Sequence, residues 1–540
     1  MGWSKVQVIA VFIFFTASAW AQVNRYVVFF KDKFGTQYSL NSPLEFLSQR
    51  AIDRRIRQGI SISQADLPVN ENYVQGVRAT GANTFFTTRW MNGVLIQCDA
   101  SIIPSIESLS FVDHVEFVAP NERLLTSGRK QVQLKTKDVK TASSTQAQLN
   151  MLGLDQMHVA GYKGDSMIIG IFDGGFSGVD SAPAFQHIFD ENRMNLTASK
   201  DFVTNSTDVF QFDDHGTQVF SVIAAYQDGF FTGGSYESNY HLYVTEDVRG
   251  EYRIEEYNWL FAAERADSAG VDIVNSSLGY YDFDEPITDY PKAAMDGKTA
   301  VSTRAAQMLA DRGVIIVCSA GNEGNIAWQI ITAPADAEDV LAIANVNSGG
   351  VRTPSSSVGP SADGRIKPDV AALGVNTSVI RPNGALGTAS GTSLAAPLVT
   401  SLAAGVWQRF PNLTNLEIMD AIRNSASQAN NPDNLLGYGI PNFMAVVNFL
   451  EQSHQENIFE VYPNPITKDS IVIRPFDPNE VKSCKIEMLT AQGQTVHEAS
   501  VNFSWVNRTY TLYVTTLPAG IYFMRILWGD KRYTFKLIKV

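Results

Sequence analysis

The sequence predicts an α/β protein built on a parallel sheet flanked by helices, with a small α+β segment ahead of it and a small all-β sandwich after it. Three observations predict this. Short apolar, β-branched runs recur between helical patterns through the middle of the chain: Met167-Ile168-Ile169-Gly170-Ile171-Phe172, Ile273-Val274-Asn275, Gly313-Val314-Ile315-Ile316-Val317-Cys318 and Val340-Leu341-Ala342-Ile343-Ala344. Strands buried on both faces and separated by helices belong to a parallel sheet. Residues 22–125 mix the two periods, with strands expected over 26–30, 93–98 and 115–118 and helices over 43–57 and 102–109. Beyond residue 458 the chain is rich in Val, Ile, Thr, Tyr and Phe, with turn signals such as Ala491-Gln492-Gly493-Gln494.

From the N-terminus, Lys5 is followed by an apolar run over 6–15 and by Ala19-Trp20-Ala21, a small-x-small cleavage pattern. This reads as a signal peptide over 1–21, too short to span a bilayer. No other stretch approaches the ~18 apolar residues of a transmembrane segment, so the expected product is exported. Polar, apolar-poor stretches over 126–145 and 453–457 read as linkers. The expected domains are therefore 22–125, 146–452 and 458–540.

The formal charge is −13, which argues against nucleic-acid or anionic-membrane partners. Its distribution is uneven: residues 22–145 hold 15 Lys and Arg against 11 Asp and Glu, whereas 146–452 hold 16 against 36. A mildly basic segment thus precedes a strongly acidic one that would attract it. The three cysteines, Cys98, Cys318 and Cys484, fall one to each expected domain, which leaves no intradomain disulfide and no Cys-based zinc site. The metal such a chain would take is an oxygen-bound cation such as calcium. Asp180, Asp190 and Glu191 are acidic candidates, beside the plainer reading of a solvated face.

Asp173 ends the first apolar run and precedes Gly174-Gly175, placing a carboxylate at the carboxyl end of a strand, where α/β sheets hold their ligands. His215 stands in Asp213-Asp214-His215-Gly216-Thr217, ahead of a helical pattern, and Ser393 in Gly391-Thr392-Ser393-Leu394-Ala395-Ala396-Pro397, at a helix start. A hydroxyl, a base and an orienting carboxylate are what nucleophilic acyl transfer needs. Ser319-Ala320-Gly321-Asn322-Glu323-Gly324 adds a side-chain amide in a glycine-flanked loop, suited to a developing oxyanion. His158, His187 and His241 lack such a context and read as structural.

These motifs in this order, with Asn275-Ser276-Ser277-Leu278-Gly279, resemble those of the subtilisin-like serine endopeptidases, the subtilases, across roughly residues 146–450. The resemblance implies a subtilisin-like sheet, an acyl-enzyme mechanism on peptide bonds of proteins, and no cofactor for the chemistry. It implies Ser393 as nucleophile, His215 as general base and acid, Asp173 as its orienter, and Asn322 as oxyanion donor with the Ser393 N–H. It further implies that Ser277, Leu278, Gly279, Ser319, Ala320 and Gly321 line an uncharged specificity pocket, with Thr332 near its floor. Three positions depart from the family pattern: Gly174 stands for the usual Ser or Thr, Gln218 for a second His, and Phe220 for a small residue.

Residues 22–125 resemble subtilase propeptides in position and pattern, an independent substrate-recruiting domain being the alternative. Residues 458–540 resemble the C-terminal sorting domain of the type IX secretion machinery. That likeness rests on Val461-Tyr462-Pro463-Asn464-Pro465, Leu517-Pro518-Ala519-Gly520-Ile521-Tyr522 and the basic end Lys536 to Val540. A generic β-sandwich is the plainer reading there. A second reading of the whole is a catalytically weak surface protein that keeps the fold and holds peptides in its cleft.

Overall fold

The computed structural model describes residues 23–120, 137–138, 145–454 and 458–540, apart from 468, 477–480, 505–506 and 530. The expected signal peptide and most of both expected linkers lie outside these residues. The chain forms two compact units, one of residues up to 37 together with 68–125, the other of 38–67 together with 126–540.

In the first unit an antiparallel sheet has the order Asn83–Thr88, Gly93–Asp99, Val23–Phe30, Val112–Pro120. Alternate residues Tyr26, Val28 and Phe30 join Val94, Ile96, Val74, Val77 and Ile106 in one core, as the two-residue period of a strand requires. The helix Glu71–Ala79, opened by Asn70, and the strand Asn83–Thr88 were not expected from the sequence pattern.

The helix expected over 43–57 is two elements and lies in the other unit. A 3-10 turn, Pro43–Glu45, precedes the helix Gln49–Gln58. Ser48 opens that helix by accepting from the Ala51 N–H at 3.2 Å, and Gly59, at φ 72°, closes it in the left-handed conformation. Its Arg54 and Arg55 are each 1% exposed. Arg54 donates to the Asp267 carboxylate at 2.5 Å and to the carbonyls of Val271 at 2.5 Å and Arg312 at 3.1 Å, while Arg55 reaches the other Asp267 oxygen at 2.9 Å. Asp66 joins Arg55 to Arg312, at 3.2 and 2.8 Å. Arg54, Arg55 and Arg312 thus share Asp267 and Asp66 in buried pairs, in which removal of one partner would strand the other's charge.

The centre of the second unit is a seven-stranded sheet in the order Val370–Leu373, Leu341–Val346, Ile315–Ser319, Ile273–Ser276, Ile168–Asp173, Asn239–Val244, Lys200–Asp201, with every pair parallel. Alternate residues Ile315, Val317, Leu341 and Ile343 share a core with Leu394, Leu398, Val399 and Leu402 of the helix Thr392–Arg409. On the other face Phe172 meets Trp259 of the helix Ile254–Ala269, ring centroids 5.1 Å apart. Helices on both faces explain why the strands read as continuous apolar runs. All strands point the same way, so Asp173, Ser276 and Ser319 end at one edge.

Residues 458–540 form two antiparallel sheets around a core including Phe459, Ile473, Ile486, Met524 and Leu537. The Asn412 amide donates to the carbonyls of Pro475 and Phe476 at 2.8 and 2.9 Å, tying this sandwich to the part built on the seven-stranded sheet. Cys98, Cys318 and Cys484 are buried and unpaired. Among the described residues no helix is long and apolar enough to cross a membrane.

Ile343 is fully buried between the sheet and the Thr392–Arg409 helix. Ile343→Ala is expected to cost about 2–5 kcal/mol, read as a lowered urea midpoint.

Candidate active site

The geometry begins at the carboxyl end of the strand Ile168–Asp173. Asp173 is 1% exposed and accepts the Gly174 N–H at 2.8 Å, so backbone supplies a donor where the family's usual hydroxyl is missing. His215 opens the helix His215–Ala224, whose start is held by Asp213 Oδ1 accepting the N–H groups of Asp214 and His215 at 2.7 and 3.3 Å. Gly216 lets this first turn settle on the strand end, since an added Cβ would stand 2.3 Å from the Gly175 carbonyl oxygen. His215 Nδ1 consequently lies 2.8 and 3.0 Å from the two Asp173 oxygens. With its proton on Nδ1, the ring presents a lone pair on Nε2.

Ser393 lies in the first turn of the helix Thr392–Arg409, where its N–H has no intrahelical acceptor. Pro397, four residues on, has no N–H for the Ser393 carbonyl. Ser277 supplies the donor instead, its hydroxyl reaching that carbonyl at 3.0 Å. The Asn275 amide holds Ser277 Oγ at 3.2 Å and accepts from Thr400 at 2.8 Å, so the strand Ile273–Ser276 braces the helix at two turns. The Ser393 hydroxyl itself points to the Ser277 carbonyl at 3.4 Å and makes no hydrogen bond to His215. Such links commonly tighten only when substrate binds.

Asn322 Oδ1 accepts both the N–H and the hydroxyl of Thr392, at 3.0 and 3.1 Å. The backbone donor fixes the amide's orientation and leaves Nδ2 as a donor beside the Ser393 turn. The strips Ser277-Leu278-Gly279 and Ser319-Ala320-Gly321 are joined by Ser319 Oγ donating to the Leu278 carbonyl at 3.4 Å. Thr332 fills the space between them: a Cβ on Gly279 would meet its Oγ1 at 2.2 Å and one on Gly321 at 3.1 Å. That hydroxyl oxygen is buried without a hydrogen-bond partner. Phe220 packs with Phe185, Phe176 and Tyr240 in the core, so this departure from the family pattern alters packing, not the cleft.

Burial alone would disfavour a charged His215, but Asp173, its hydrogen bonds, and then Asp213 and Asp214 outweigh it and push the imidazole up to about 9. Burial also raises the Asp173 carboxyl, with His215 pulling it back. While Asp173 is ionised, protonated His215 therefore stabilises the fold fully just below the ordinary imidazole value of about 6.5, and that contribution is lost as pH rises through the raised value. The two acids directly before His215 are a tuning feature that motif reading passed over. So is the Pro397–Ser277 exchange, visible in sequence only as a proline four residues after the serine.

His158 and His187 bond the carbonyls of Gly234 and Tyr236 at 2.8 and 3.2 Å, and burial pulls His241 down to about 4. Of the acidic candidates for calcium, Asp180 is exposed, Asp190 accepts from Gln186, and Glu191 pairs with Arg193 at 2.7 Å, so they do not form a site. Among the described residues a different trio gathers, Glu246, Glu251 and Glu255, with carboxylate oxygens within 4.8 Å of one another. An all-oxygen set of this kind suits a hard cation. It is already bonded in part, by the Tyr280 hydroxyl to Glu246 and the Asp247 N–H to Glu255.

A family model described as "Subtilase family" matches residues 164–439, just over half the chain. The chain belongs to the subtilase family. Models of the "Peptidase S8 propeptide domain, Bacteroidota" and of the "Secretion system C-terminal sorting domain" match residues 25–143 and 460–540. This subtilase is 28% identical over 293 residues to Subtilisin NAT of Bacillus subtilis subsp. natto, covering 54% of this chain and 68% of that protein. It is 27% identical over 289 residues to Subtilisin of Bacillus pumilus, covering 53% and 93%. Among solved structures it is similar to MycP1 from Mycobacterium smegmatis, with TM-score 0.45 and 19% identity over 58% of this chain and 89% of that one. The subtilase is a serine-type endopeptidase that carries a propeptide domain and a type IX sorting domain.

An NMR titration of His215 in the Ser393→Ala chain is expected to give a midpoint near 9, and Asp213→Asn to move it toward the ordinary imidazole value. A midpoint near 6.5 in the parent chain would contradict this electrostatic account.

Proposed function

We propose that Asp173, His215 and Ser393 form the catalytic triad of a secreted endopeptidase that cleaves proteins through an acyl-enzyme. The observation that carries this reading is the paired hydrogen bond of His215 Nδ1 with Asp173, at 2.8 and 3.0 Å, on the sheet edge that also bears the Ser319 and Ser276 strand ends. Ser393 Oγ attacks the peptide carbonyl carbon as its proton passes to His215 Nε2. The oxyanion is met by Asn322 Nδ2 and the Ser393 N–H. The imidazolium then protonates the departing amine as the C–N bond breaks, and water repeats the sequence on the acyl-serine. Asp173 keeps the imidazole in the tautomer that these transfers need.

The strips 277–279 and 319–321 present no charge, and Thr332 shortens the space between them, which supports a preference for small or uncharged side chains before the scissile bond. Segment 1–21 directs export and is removed, the segment matched by the propeptide model binds the acidic catalytic domain until it is cut away, and 458–540 engages the type IX machinery. The open Ser393–His215 link is the one observation on the side of the second reading, a weak peptide-holding protein, and such links commonly tighten only when substrate binds.

Hydrolysis of a chromogenic peptide separates the two. The endopeptidase reading expects Ser393→Ala to abolish turnover and Asn322→Ala to lower kcat by about 10²–10³, the magnitude known for the equivalent donor in subtilisin. Equal turnover in the parent and Ser393→Ala chains would leave the peptide-holding reading. Thr332→Ala is expected to raise kcat/KM for Phe relative to Ala before the scissile bond by about tenfold, the scale of one or two methylenes in an apolar pocket.

A further inference from the structure

Residues 38–67 fall inside the segment matched by the propeptide model, yet they belong to the same compact unit as the seven-stranded sheet. The rest of that matched segment has an antiparallel sheet with a core of its own. The propeptide-matched segment is thus two parts by structure, and its helix Gln49–Gln58 has a separate set of partners. The Ser48 N–H donates to the Ser268 carbonyl at 2.9 Å, and Arg50 donates to the carbonyls of Gly270 and Ser166 at 3.1 and 2.7 Å and to Asp272. Arg54 and Arg55 take the two oxygens of Asp267, and Gln58 donates to the Gly313 carbonyl at 2.8 Å while accepting the Asn415 N–H at 3.0 Å. Ser268, Gly270, Asp272 and Gly313 stand just ahead of the strands Ile273–Ser276 and Ile315–Ser319. This is the strand-entry edge, opposite the exits where Asp173, Ser276 and Ser319 end.

The part built on the seven-stranded sheet is shaped to receive this helix. Gly270 and Gly313 follow the helices Ile254–Ala269 and Val301–Ala310, with φ of 87° and 84°. A Cβ on the first would stand 2.8 Å from Arg50 Cβ, and one on the second 2.6 Å from Gln58 Nε2. The two glycines that let the chain turn there therefore also leave the recesses that Arg50 and Gln58 fill. Charge agrees with shape. Asp267 is fully buried against the two arginines of the segment, and the segment's own Asp66 answers Arg312 at 2.8 Å, so ions are exchanged in both directions.

The chain on either side of the helix is built differently. Ser39, Asn41 and Ser42 before it, and Gly59, Ser61 and Ser63 after it, are exposed and lie outside helix and strand, the kind of chain that endopeptidases cut. We propose that the mature enzyme keeps the helix Gln49–Gln58 as a bound peptide at the strand-entry edge, after both flanks are cut and the rest of the propeptide-matched segment has left. Each cut adds one water across a peptide bond, hydroxyl to the carbonyl carbon and hydrogen to the nitrogen, which is the reaction a serine endopeptidase catalyses. The proposal rests on the reading that the propeptide-matched segment is cut from the chain, and it divides that segment into a part that leaves and a part that stays.

Thrombin sites inserted after Ser39 and after Ser61 of the full-length Ser393→Ala chain allow both flanks to be cut at will, with the cuts verified on a denaturing gel. After gel filtration under native conditions, mass spectrometry of the denatured peak is expected to find the helix peptide in equal amount with the large fragment. Arg54→Ala is expected to speed its release by about a hundredfold or more, the scale of breaking a buried ion pair, and Gln58→Ala by about tenfold, the scale of two neutral hydrogen bonds. Arg532→Ala, exposed on the strand Lys531–Lys539, should change nothing. Loss of the peptide from a cut chain with parental circular dichroism would overturn the proposal, as would release indifferent to both Arg54→Ala and Gln58→Ala. The same mass measurement on the parent chain without inserted sites, taken after its own processing, tests the underlying reading. An intact chain would refute the cutting, whereas a cut chain whose peak lacks residues 49–58 would refute only the retention.

Discussion

At Gly216 the first turn of a helix rests on the end of a strand with no room for a side chain, 2.9 Å separating a notional Cβ from that of Asp173. This contact is the constraint on which the site depends. It turns two elements that are distant in sequence into a hydrogen-bonded pair, because His215 precedes Gly216 and Asp173 ends the strand. A parallel sheet makes the arrangement general: every strand exits at the same edge, so the Asn322 loop, the strips 277–279 and 319–321 and the start of the helix Thr392–Arg409 converge there as well. The apolar interior of the sheet supplies rigidity, and the polar exits supply chemistry.

The position of Ser393 rests on an exchange of hydrogen bonds. Pro397 withholds the donor that the Ser393 carbonyl would have in a regular helix, and Ser277 replaces it from a neighbouring strand. The helix start is thereby fastened to the strip Ser277-Leu278-Gly279 through that strip's first residue. Electrostatics act in parallel. Three carboxylates surround His215 from the strand end and the helix start, favouring its protonated form.

What the sequence made legible was what local pattern encodes. Asp173, His215, Asn322 and Ser393 each sit in short glycine-containing turns, and the apolar runs around them announce a parallel sheet. The segment 38–67 was not legible in the same way. Its Gln49–Gln58 helix carries Arg50, Arg54, Arg55 and Arg57, and arginines on a short helix look like a solvated face. Only the tertiary partners Asp267, Asp66 and the carbonyls of Val271 and Arg312 reveal that two of them are buried. The strand Asn83–Thr88 escaped notice because its Asn-Thr-Phe-Phe-Thr-Thr run carries two adjacent aromatics where alternation would be expected. The Glu246, Glu251 and Glu255 cluster combines a strand exit with a helix start, a proximity that spacing alone does not disclose.

The account's central claim is that Ser393 is a nucleophile activated through His215 and Asp173. The most direct measurement is covalent labelling of the processed protein by a fluorophosphonate, with the modified residue located by mass spectrometry. The account predicts a single adduct on Ser393, lost in His215→Ala and in Ser393→Ala. An unlabelled Ser393 in correctly folded, processed protein, or equal labelling after His215→Ala, would contradict it.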